Sequence, residues 1–463
     1  MNPGVSTATV LESLLGNPFE DGLLPFAQTV SDEERSRLRG EAGDALRATG
    51  LVASLLLPRS VGGSCETMRA AVAEGRALFR RDPASGLELV TAPLALHATA
   101  SDPSNPVAAE AFRMVLSGTG AAATLAESRQ PPRIRGGLLR GRTPLVVVPD
   151  PAASWFLPSI TVDGGEVLAI CPAQESLVPD SPTGTVGLRG TRFATATAVD
   201  APVLALPHDP QGRARARVAL AAMALVTLDT SLRLAVRYAA GRELYGGTVL
   251  DIPHARGVIA EVHTDLLVAD ALTDSALAAI DAGTPDAVQE SAVVALVPRL
   301  LTDAMRALSV LFGSTFYARV APYAVFETLL RDVDALALAG LGRHPSDISV
   351  AALGAVAVQP DAGGRGAARE ALGIDGPAAG GEVASAIEAA TIVAWDACHR
   401  RHASGDTAAS AAWLEAATIR LRRRLRGHGG VLSDATIEGA ITDVVASADH
   451  QRSMTFDRVP VFG

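Results

Sequence analysis

The sequence predicts a mainly α-helical protein with a small β domain between helical domains. Hydrophobic residues make up 48% of the 463-residue chain and charged residues 19%, a balance that lets the chain bury several cores. Aromatic residues are only 4%, and the small side chains in their place allow helices to pack closely. The length fits roughly two to four domains.

The first zone, residues 1–118, has the pattern of helices joined by polar loops. Ser31 precedes three acidic residues, which is typical of a helix start, and Gly50 is placed to end that helix. A second helix is predicted over residues 68–80.

The second zone, residues 119–207, changes to a pattern typical of β-strands. Residues 145–148 are rich in β-branched side chains, and Gly164 with Gly165 forms a hairpin turn. The remaining segments with strand character are residues 155–162, 166–170 and 191–199. This zone is predicted to be a small β domain.

The third zone, residues 208–357, returns to helical periodicity. Apolar residues recur every three or four positions and form one stripe along a helix, namely Leu225, Leu228, Leu232 and Val236. Further helices are predicted over residues 259–269, 285–311 and 323–338. Four helices with short links indicate a four-helix bundle.

The fourth zone, residues 358–463, is predicted to be a linker followed by a helical extension. Residues 358–381 are rich in Gly, Ala and Pro, and three helices are predicted over residues 383–402, 408–425 and 434–448.

Composition and charge disfavour several classes of protein. A net charge of −10 is unlike that of a nucleic-acid-binding protein. The three cysteines form no disulfide framework, so a cytoplasmic location is expected. Residues 1–15 lack an apolar signal core, and the longest apolar run, residues 218–228, is interrupted by Asp229. We therefore expect no membrane partner.

Several motifs occur in the order found in one enzyme family. The segment from Tyr238 to Gly246 is similar to the signature Y-A-x-x-R-x-x-F-G of the acyl-CoA dehydrogenases. The other segments that resemble motifs of this family are residues 46–63, 185–201, 311–314 and 326–332. The resemblance covers about residues 30–350 and marks the chain as a divergent member.

The resemblance implies a fold, a cofactor and a substrate class. The implied fold has an N-terminal helical domain, a small β-barrel and a C-terminal four-helix bundle. The implied chemistry is α,β-oxidation of an acyl thioester, carried by coenzyme A or an acyl carrier protein, in a homo- or hetero-oligomer (dimer or tetramer). In this family a carboxylate takes the α-proton, and flavin adenine dinucleotide (FAD) takes the hydride.

The resemblance also assigns residues to the site. Arg331, in the helix that resembles V-E-R-x-x-R-D, is predicted to bind substrate. The residues predicted to bind the cofactor are Arg242, Tyr245, Gly246, Gly313 and Ser314.

The family's catalytic carboxylate is missing from both positions where the resemblance places it. One position, counted from Arg331, is Gly340, and the alternative position is Ala216. His344 is a weak candidate for a general acid or base, since imidazole titrates near neutral pH. The favoured interpretation of His344 is an ordinary polar loop residue.

Several flavin contacts also depart from the family pattern. Residues 126–129 replace the motif T-E-P-x-x-G-S-D, residues 145–147 replace the motif W-I-T, and Val310 replaces a glutamine. Arg242 is retained, and a planar guanidinium suits a pyrophosphate. The alternative is that Arg242 pairs with a carboxylate at a helix or subunit contact. FAD is therefore predicted, with its loss left open.

Two patterns in the extension offer further sites. Cys398 and His402 are four residues apart on a helix, a spacing that metal sites use, but two ligands do not complete a site and no metal is predicted. Five arginines lie on the next helix, and among them Arg422 and Arg423 are predicted to bind a coenzyme A phosphate or the acidic helix of a carrier protein. The alternative is a solvated helix face.

The sequence leaves three functions open, of which the first is the prediction and the other two are alternatives. The first is a flavin-dependent oxidoreductase of acyl thioesters whose base is relocated or supplied by a partner. The second is a catalytically inactive structural subunit of a hetero-oligomer. The third is a non-redox enzyme that reuses the acyl pocket in a biosynthetic pathway.

Overall fold

The protein is mainly helical with a central β region, as the sequence predicts. Its computed structural model describes residues 9–34, 40–97, 105–119, 121–126, 132–148, 154–162, 165–171, 177–207, 210–318, 320–341, 352–354, 366–374, 381–428 and 430–462.

The helices precede and follow the β region in chain order. They are α1 (Val10–Leu15), α2 (Phe26–Glu34), α3 (Gly40–Ala48), α4 (Leu51–Leu56), α5 (Met68–Arg81), α6 (Pro83–His97), α7 (Pro106–Leu116), α8 (Pro210–Ala224), α9 (Val226–Gly241), α10 (Pro253–Asp281), α11 (Ala287–Phe312), α12 (Thr315–Ala318), α13 (Ala324–Ala335), α14 (Gly366–Leu372), α15 (Gly381–Ala403), α16 (Ala411–Arg426) and α17 (Asp434–Asp449). The helices predicted in the third and fourth zones are therefore confirmed, with Pro298 inside α11.

One predicted helix start is wrong. Helix α2 begins at Phe26, directly after Pro25, so Ser31 lies inside the helix and the acidic residues follow it there. A proline before the first turn supplies no N–H but leaves its carbonyl free, and the N–H of Thr29 donates to the Pro25 carbonyl at 3.0 Å. The predicted stop at Gly50 agrees with the structure, where this residue has φ +66°.

The strands form two sheets and a short ribbon. They are β1 (Ala121–Ala123), β2 (Arg133–Arg135), β3 (Leu138–Arg142), β4 (Val146–Val147), β5 (Ser154–Val162), β6 (Gly165–Cys171), β7 (Leu177–Pro179), β8 (Phe193–Ala194), β9 (Ala196–Pro202), β10 (Leu204–Pro207), β11 (Glu243–Leu244) and β12 (Gly247–Thr248). The larger sheet has the order β10-β6-β5-β1-β4-β8, and the smaller has the order β2-β3-β9-β7. Both contribute to one apolar core, to which Leu139, Val146 and Cys171 belong.

The chain divides into two compact units. The helical unit consists of Met1–Phe19, Leu225–Val333 and Gly342–Gly463, and the mixed unit consists of Glu20–Ala224 and Asp334–Leu341. The four predicted zones are therefore not four separate compact bodies, because the extension shares one unit with the helices of the third zone, and α8 shares the other unit with the β strands.

Close helix packing in the mixed unit follows from small side chains. Helices α5, α6 and α8 pack against one another, and α8 is completely buried from Val218 to its end. A Cβ on Gly75 of α5 would lie 2.5 Å from Sδ of Met223 on α8, so the glycine makes room for the methionine side chain between the two helices. The low aromatic content of the sequence matches this mode of packing.

In the helical unit, α10 is the central element. Helices α9, α11, α15, α16 and α17 all pack against it. The predicted extension is thus part of the core of this unit. Helix α10 belongs to the predicted four-helix bundle. It is covered on one side by the extension and is buried along most of its 29 residues.

Buried carboxylates hold the C-terminal tail within the helical unit. Oδ2 of Asp229 accepts a hydrogen bond from Oγ of Ser453 at 3.0 Å, and Oδ2 of Asp270 accepts one from the N–H of Phe456 at 2.9 Å. Nη2 of Arg233 donates to the carbonyl of Arg452 at 2.5 Å. Buried charges persist only when they have such partners, so these pairings fix the course of the tail.

Among the described residues, one helical stretch is long and apolar enough to cross a membrane by length and composition. It runs from Gly212 to Gly241, and all of its most apolar window is buried inside the protein. Leu225 divides it into α8 and α9. Burial of this kind is also what the core helices of proteins in water show.

Candidate functional site

Gly340 follows a short 3-10 helix, Leu336–Ala339, and is buried in the mixed unit. It has φ +95°, in the left-handed region that favours glycine. A Cβ at this position would lie 2.8 Å from the carbonyl oxygen of Leu125. Backbone conformation and backbone contact therefore both exclude a side chain at the position where the resemblance places the catalytic carboxylate.

The second candidate base position lies beside the first. Ala216 is completely buried on α8, and the next residue, Arg217, donates from Nε to the carbonyl oxygen of Gly340 at 3.0 Å. The structure thus brings the two positions together. A methyl group and a guanidinium occupy the place of a carboxylate, and His344 lies outside the described residues.

The predicted cofactor-binding residues of α9 lie in an exposed turn. Arg242 caps the C-terminus of α9, and the N–H of Val249 donates to its carbonyl at 2.9 Å. The ribbon β11–β12 carries Tyr245 and Gly246 at its tip, with φ +54° and φ +84°. Two consecutive left-handed residues form a tight hairpin turn, which leaves the Tyr245 side chain 94% exposed.

Gly313 and Ser314 form a second exposed turn in the helical unit. They follow α11, and Gly313 has φ +51°. Oη of Tyr238 lies 3.3 Å from both the carbonyl of Phe312 and Oγ1 of Thr315, so it links the end of α9 to this turn. All five predicted cofactor-binding residues are therefore brought to one end of the helical unit.

The guanidinium of Arg242 is exposed and has no carboxylate partner among the residues that the structure describes. This geometry fits a phosphate group, because the fork of N–H donors is available to an anion. The alternative prediction of an intramolecular ion pair has no support in the described part of the chain. A carboxylate pairing at a subunit contact stays open as the alternative, and binding of the FAD pyrophosphate by Arg242 stays a prediction.

The β region fits a flavin ring less well. Val146 and Val147, in the strand that replaces the motif W-I-T, are buried in the sheet core and offer no side-chain hydrogen bond. Residues 127–131, which include most of the segment that replaces T-E-P-x-x-G-S-D, lie outside the described residues. The described residues thus fit the phosphate arm of FAD and do not fit carboxylate-assisted proton removal at Gly340.

Arg331 is engaged within its own helix. On α13 its guanidinium forms a bidentate pair with Glu327, one turn earlier, and Nη2 to Oε2 measures 2.9 Å. An i,i+4 pair of this kind stabilises the helix. Substrate binding by Arg331 stays a prediction, and this pairing does not favour it.

The arginines of α16 face the neighbouring helices. Arg420 and Arg424 donate to the carboxylate of Asp265 on α10 at 2.6 Å and 2.8 Å. Arg423 donates to Glu261 at 2.6 Å, and Arg422 donates to the carbonyl of Ala371 at 2.5 Å. The alternative of a solvated face is wrong for these four residues. The prediction that Arg422 and Arg423 bind substrate gains no support, since internal acceptors already use them.

The Cys-His pattern of α15 is also used internally. Cys398 is completely buried, Nδ1 of His402 lies 2.6 Å from the carbonyl of Ala409, and His399 stacks on Trp395 at 5.1 Å. Within the described ranges, no three His, Cys, Asp or Glu side chains are grouped as a metal site would require.

Glu88 is a titratable residue that the sequence analysis missed. Burial on α6 raises its pKa to about 7, while the hydrogen bond that Oε1 accepts from the N–H of Arg192 at 3.1 Å lowers the pKa. Asp82 and Asp44 raise the pKa further, and Arg47 lowers it. The signal in the sequence is a lone acidic residue within the apolar stretch of α6. The small adjoining cavity, about 30 Å³, has no room for a substrate.

The chain resembles known proteins in one domain and in its fold. Residues 212–344 match the family model described as acyl-CoA dehydrogenase, C-terminal domain. No curated protein sequence matches the chain significantly. Solved structures of acyl-CoA dehydrogenases superpose on most of the chain. The chain has the acyl-CoA dehydrogenase fold.

Three structures with this fold illustrate the likeness. Butyryl-CoA dehydrogenase from Megasphaera elsdenii is 16% identical with a TM-score of 0.62, over 77% of this chain and 100% of its own. An acyl-CoA dehydrogenase from Bacillus anthracis, complexed with FAD, is 12% identical with a TM-score of 0.66, over 95% of this chain and 94% of its own. The prolyl acyl carrier protein oxidase AnaB is 14% identical with a TM-score of 0.60, over 73% of this chain and 94% of its own.

Proposed function

We propose that this protein is an acyl-CoA dehydrogenase-like subunit that binds an acyl thioester but lacks the family's carboxylate-driven removal of the α-proton. The carrier is coenzyme A or an acyl carrier protein, as in the structurally similar proteins. The observation that carries the proposal is Gly340, whose left-handed backbone contacts the Leu125 carbonyl and leaves no space for a side chain.

The chemical reason is the weak acidity of the proton beside a thioester. A base must stand within hydrogen-bond reach to remove it at a useful rate. The buried methyl group of Ala216 supplies none, and Arg217 is a permanent cation that binds the Gly340 carbonyl. These residues support a structural or substrate-holding role more than an oxidising one.

Support for FAD comes from the other unit. Arg242, which is exposed and has no carboxylate partner in the described part of the chain, would hold the pyrophosphate, together with the left-handed Tyr245–Gly246 turn. A bound flavin would supply a hydride acceptor. The contribution of this chain is then to orient the cofactor, whether for its own thioester or for that of a partner.

The same end of the helical unit supports an oligomer, a dimer or tetramer of like or unlike chains. Large apolar side chains are exposed there, and they are Tyr245, Val310, Tyr317 and Val320. A concentration of exposed apolar surface marks an interaction site. No nucleic acid and no membrane are expected as partners, and the three buried free cysteines agree with a cytoplasmic location.

The experiment separates binding from chemistry. The purified chain is incubated with an acyl-CoA in deuterated water, and incorporation of deuterium at the α-carbon is measured by mass spectrometry, alongside turnover with an artificial electron acceptor. Thioester binding is measured in parallel by calorimetry with a non-oxidisable thioether analogue.

We expect binding without α-exchange and without turnover. Exchange or flavin-dependent turnover by the chain alone would refute the loss of the base and indicate an active oxidoreductase with a relocated base. Turnover without flavin would indicate a non-redox enzyme, and failure to bind any thioester would refute the whole proposal.

A further inference from the structure

The antiparallel strands β2 and β3 of the mixed unit carry arginines on their outer face. Ile134 of β2 packs against the apolar core of the sheets, and Leu139 of β3 is completely buried in it. Because successive side chains of a strand point to opposite faces, the residues that alternate with these two face solvent. The exposed arginines on this face are Arg133, Arg135, Arg140 and Arg142.

On β3, each arginine has a carboxylate partner that is itself near the surface. Arg140 pairs with Asp200, which lies in a bulge of β9 and has φ +53°. Nη2 of Arg142 pairs with Oδ2 of Asp180 at 2.9 Å. The two arginine side chains are still 66% and 70% exposed. A guanidinium has five N–H donors, so these pairs leave donors of both residues open to solvent.

The arginines of β2 have no such partner. Arg133 and Arg135 are exposed, and neither pairs with a carboxylate among the described residues. Arg133 also stands directly opposite Arg140 across the two strands, and like charges in opposite positions destabilise a sheet. An acidic group bound at this face removes the repulsion, so the outer face of β2 and β3 favours an acidic partner.

The spacing of the arginines matches that of carboxylates on a helix. Alternate residues of a strand, such as Arg133 and Arg135, are about 6.6–6.8 Å apart. Opposite residues, such as Arg133 and Arg140, have Cβ atoms about 4.5–5.5 Å apart. Carboxylates three or four residues apart on a helix have Cβ atoms about 5–6 Å apart. Successive acidic residues along one helix face therefore meet successive arginines of the sheet face.

The turn between the two strands leaves this face accessible. Gly136 and Gly137 have φ +56° and φ +74°, and a Cβ at either position would have no atom within 4 Å. Two consecutive left-handed residues form a tight hairpin turn, so no long loop projects beyond the strands. A partner helix thus reaches the arginines without displacing a loop.

The charge of the whole chain contrasts with that of this face. The net charge is −10, so an acidic protein is repelled by the chain as a whole and attracted to the outer face of β2 and β3. Such a contrast steers a partner into one orientation. Small ligands bind in concave sites, whereas these arginines stand on an open sheet face. The geometry therefore favours a protein over a free anionic cofactor.

We propose that the outer face of β2 and β3 docks the acidic helix of an acyl carrier protein that delivers the thioester. The choice of partner rests on the proposed function and names the carrier protein, in place of free coenzyme A, as the carrier. The docking face lies in the same compact unit as Ala216 and Gly340. The arginines of α16, in contrast, are used by acceptors within the helical unit.

The test measures docking separately from thioester binding. The probe is an acyl carrier protein in its apo form, which has no phosphopantetheine arm and so carries no thioester. Its association with the full-length protein is followed by surface plasmon resonance at low and at physiological ionic strength. The double variant Arg133→Gln with Arg135→Gln removes both arginines of β2.

The matched control is the double variant Arg59→Gln with Arg113→Gln. It removes the same charge from the same compact unit, at exposed arginines that already have carboxylate partners. Urea unfolding of all three proteins is measured in parallel. The β2 variant should be at least as stable as the wild type, because it loses the repulsion between Arg133 and Arg140.

We expect the wild type and the control to bind the apo carrier protein alike. The β2 variant should associate on the order of tenfold more slowly, because complementary charges raise association rates by at least about that factor. Raising the ionic strength should weaken binding by the wild type and have less effect on the β2 variant, since salt screens exposed charges.

Four outcomes would overturn the proposal. Equal losses in both double variants would mean that only net charge matters. No binding of the carrier protein by the wild type would exclude docking, while binding of the coenzyme A thioether analogue would still support the proposed function. Unchanged carrier binding with self-association of the β2 variant would assign the arginines to protection of β2, which is at the sheet edge. Binding to phosphatidylglycerol vesicles without carrier binding would indicate a lipid surface.

Discussion

Nε of Arg217 donates a hydrogen bond to the carbonyl oxygen of Gly340 at 3.0 Å. This bond joins α8, beside Ala216, to the loop that follows the short 3-10 helix. In the family that the sequence resembles, one of these two places carries the catalytic carboxylate. Here a buried cation and a backbone carbonyl meet instead, which stabilises the loop and leaves no proton acceptor at either position.

Because of the close contact at Gly340, we expect that replacing this glycine lowers the free energy of unfolding unusually strongly. Gly340→Ala combines a left-handed φ with a Cβ at 2.8 Å from the Leu125 carbonyl, whereas Gly137→Ala in the β2–β3 turn has a φ of +74° and open space. Left-handed backbone costs a side chain roughly 1–2 kcal/mol. Urea unfolding should show about this loss for Gly137→Ala and a clearly larger loss for Gly340→Ala. Equal losses would mean that residue 340 is not in contact with Leu125.

Glu88 predicts a pH dependence of stability. The pKa of Glu88 is raised from 4.5 to about 7 in the folded protein. Its contribution to the stability of the folded state is therefore fully present below pH 4.5 and is lost as the pH rises through 7. Between pH 5.5 and pH 8 the wild type should therefore lose stability relative to Glu88→Gln, by on the order of 1–3 kcal/mol. Chemical unfolding at both pH values measures this difference.

The control for Glu88 is Glu110, an exposed carboxylate whose pKa is shifted in the opposite direction. Arg113 holds the pKa of Glu110 below its ordinary value, so Glu110→Gln should follow the wild type from pH 5.5 to pH 8. A Glu88→Gln profile parallel to the wild type would show that Glu88 does not titrate in this range.

The buried pairing of Asp265 with Arg420 and Arg424 predicts a large stability loss. Asp265 is 1% exposed; burial alone would raise its pKa, but Arg424 and Arg420 hold the pKa below its ordinary value. Removing one partner from a buried ion pair costs about 3–5 kcal/mol, and Asp265→Asn should show this loss in chemical unfolding.

The matched control is another partner of the same arginine. Asp303 pairs with Arg424 at 2.8 Å but is 48% exposed, so Asp303→Asn should cost less than about 1 kcal/mol. If both variants lost the same stability, the ion pairs of α16 would be surface contacts and not core contacts.

The role proposed for Arg242 predicts that FAD binds more weakly without it. Losing a charge-assisted hydrogen bond costs about 1.5–3 kcal/mol, so Arg242→Ala should weaken FAD binding by roughly tenfold to a hundredfold. Quenching of flavin fluorescence on titration measures the Kd. Arg113→Ala, at an exposed arginine already paired with Glu110, should leave the Kd unchanged. An unchanged Kd in Arg242→Ala would refute the assigned role.

Local sequence patterns were reliable where one short segment contains the whole signal. Helical periodicity predicted α10, α11 and the three helices of the extension, and Gly50 marked a true helix end. The start of α2 was missed because Ser31 and the acids after it formed a plausible capping signal inside a helix that Pro25 had already started.

Patterns of charge were less reliable, because the partner of a charge is distant in sequence. The arginines of α16 have the composition of a phosphate site, but the carboxylates that pair with Arg420, Arg423 and Arg424 are on α10 and α11, more than a hundred residues away. Arg242 has the same residue type and stays exposed. Only the packing of helices distinguishes the two cases.

The chain by itself determined the order of helical and β regions, the family-like motifs and the absence of Glu at two positions, because these depend on residue identity and short-range periodicity. The fold decided which arginines are neutralised and that Gly340 cannot accept a side chain. Burial and contact between distant segments set these properties, and they arise only when helices from separate parts of the chain pack together.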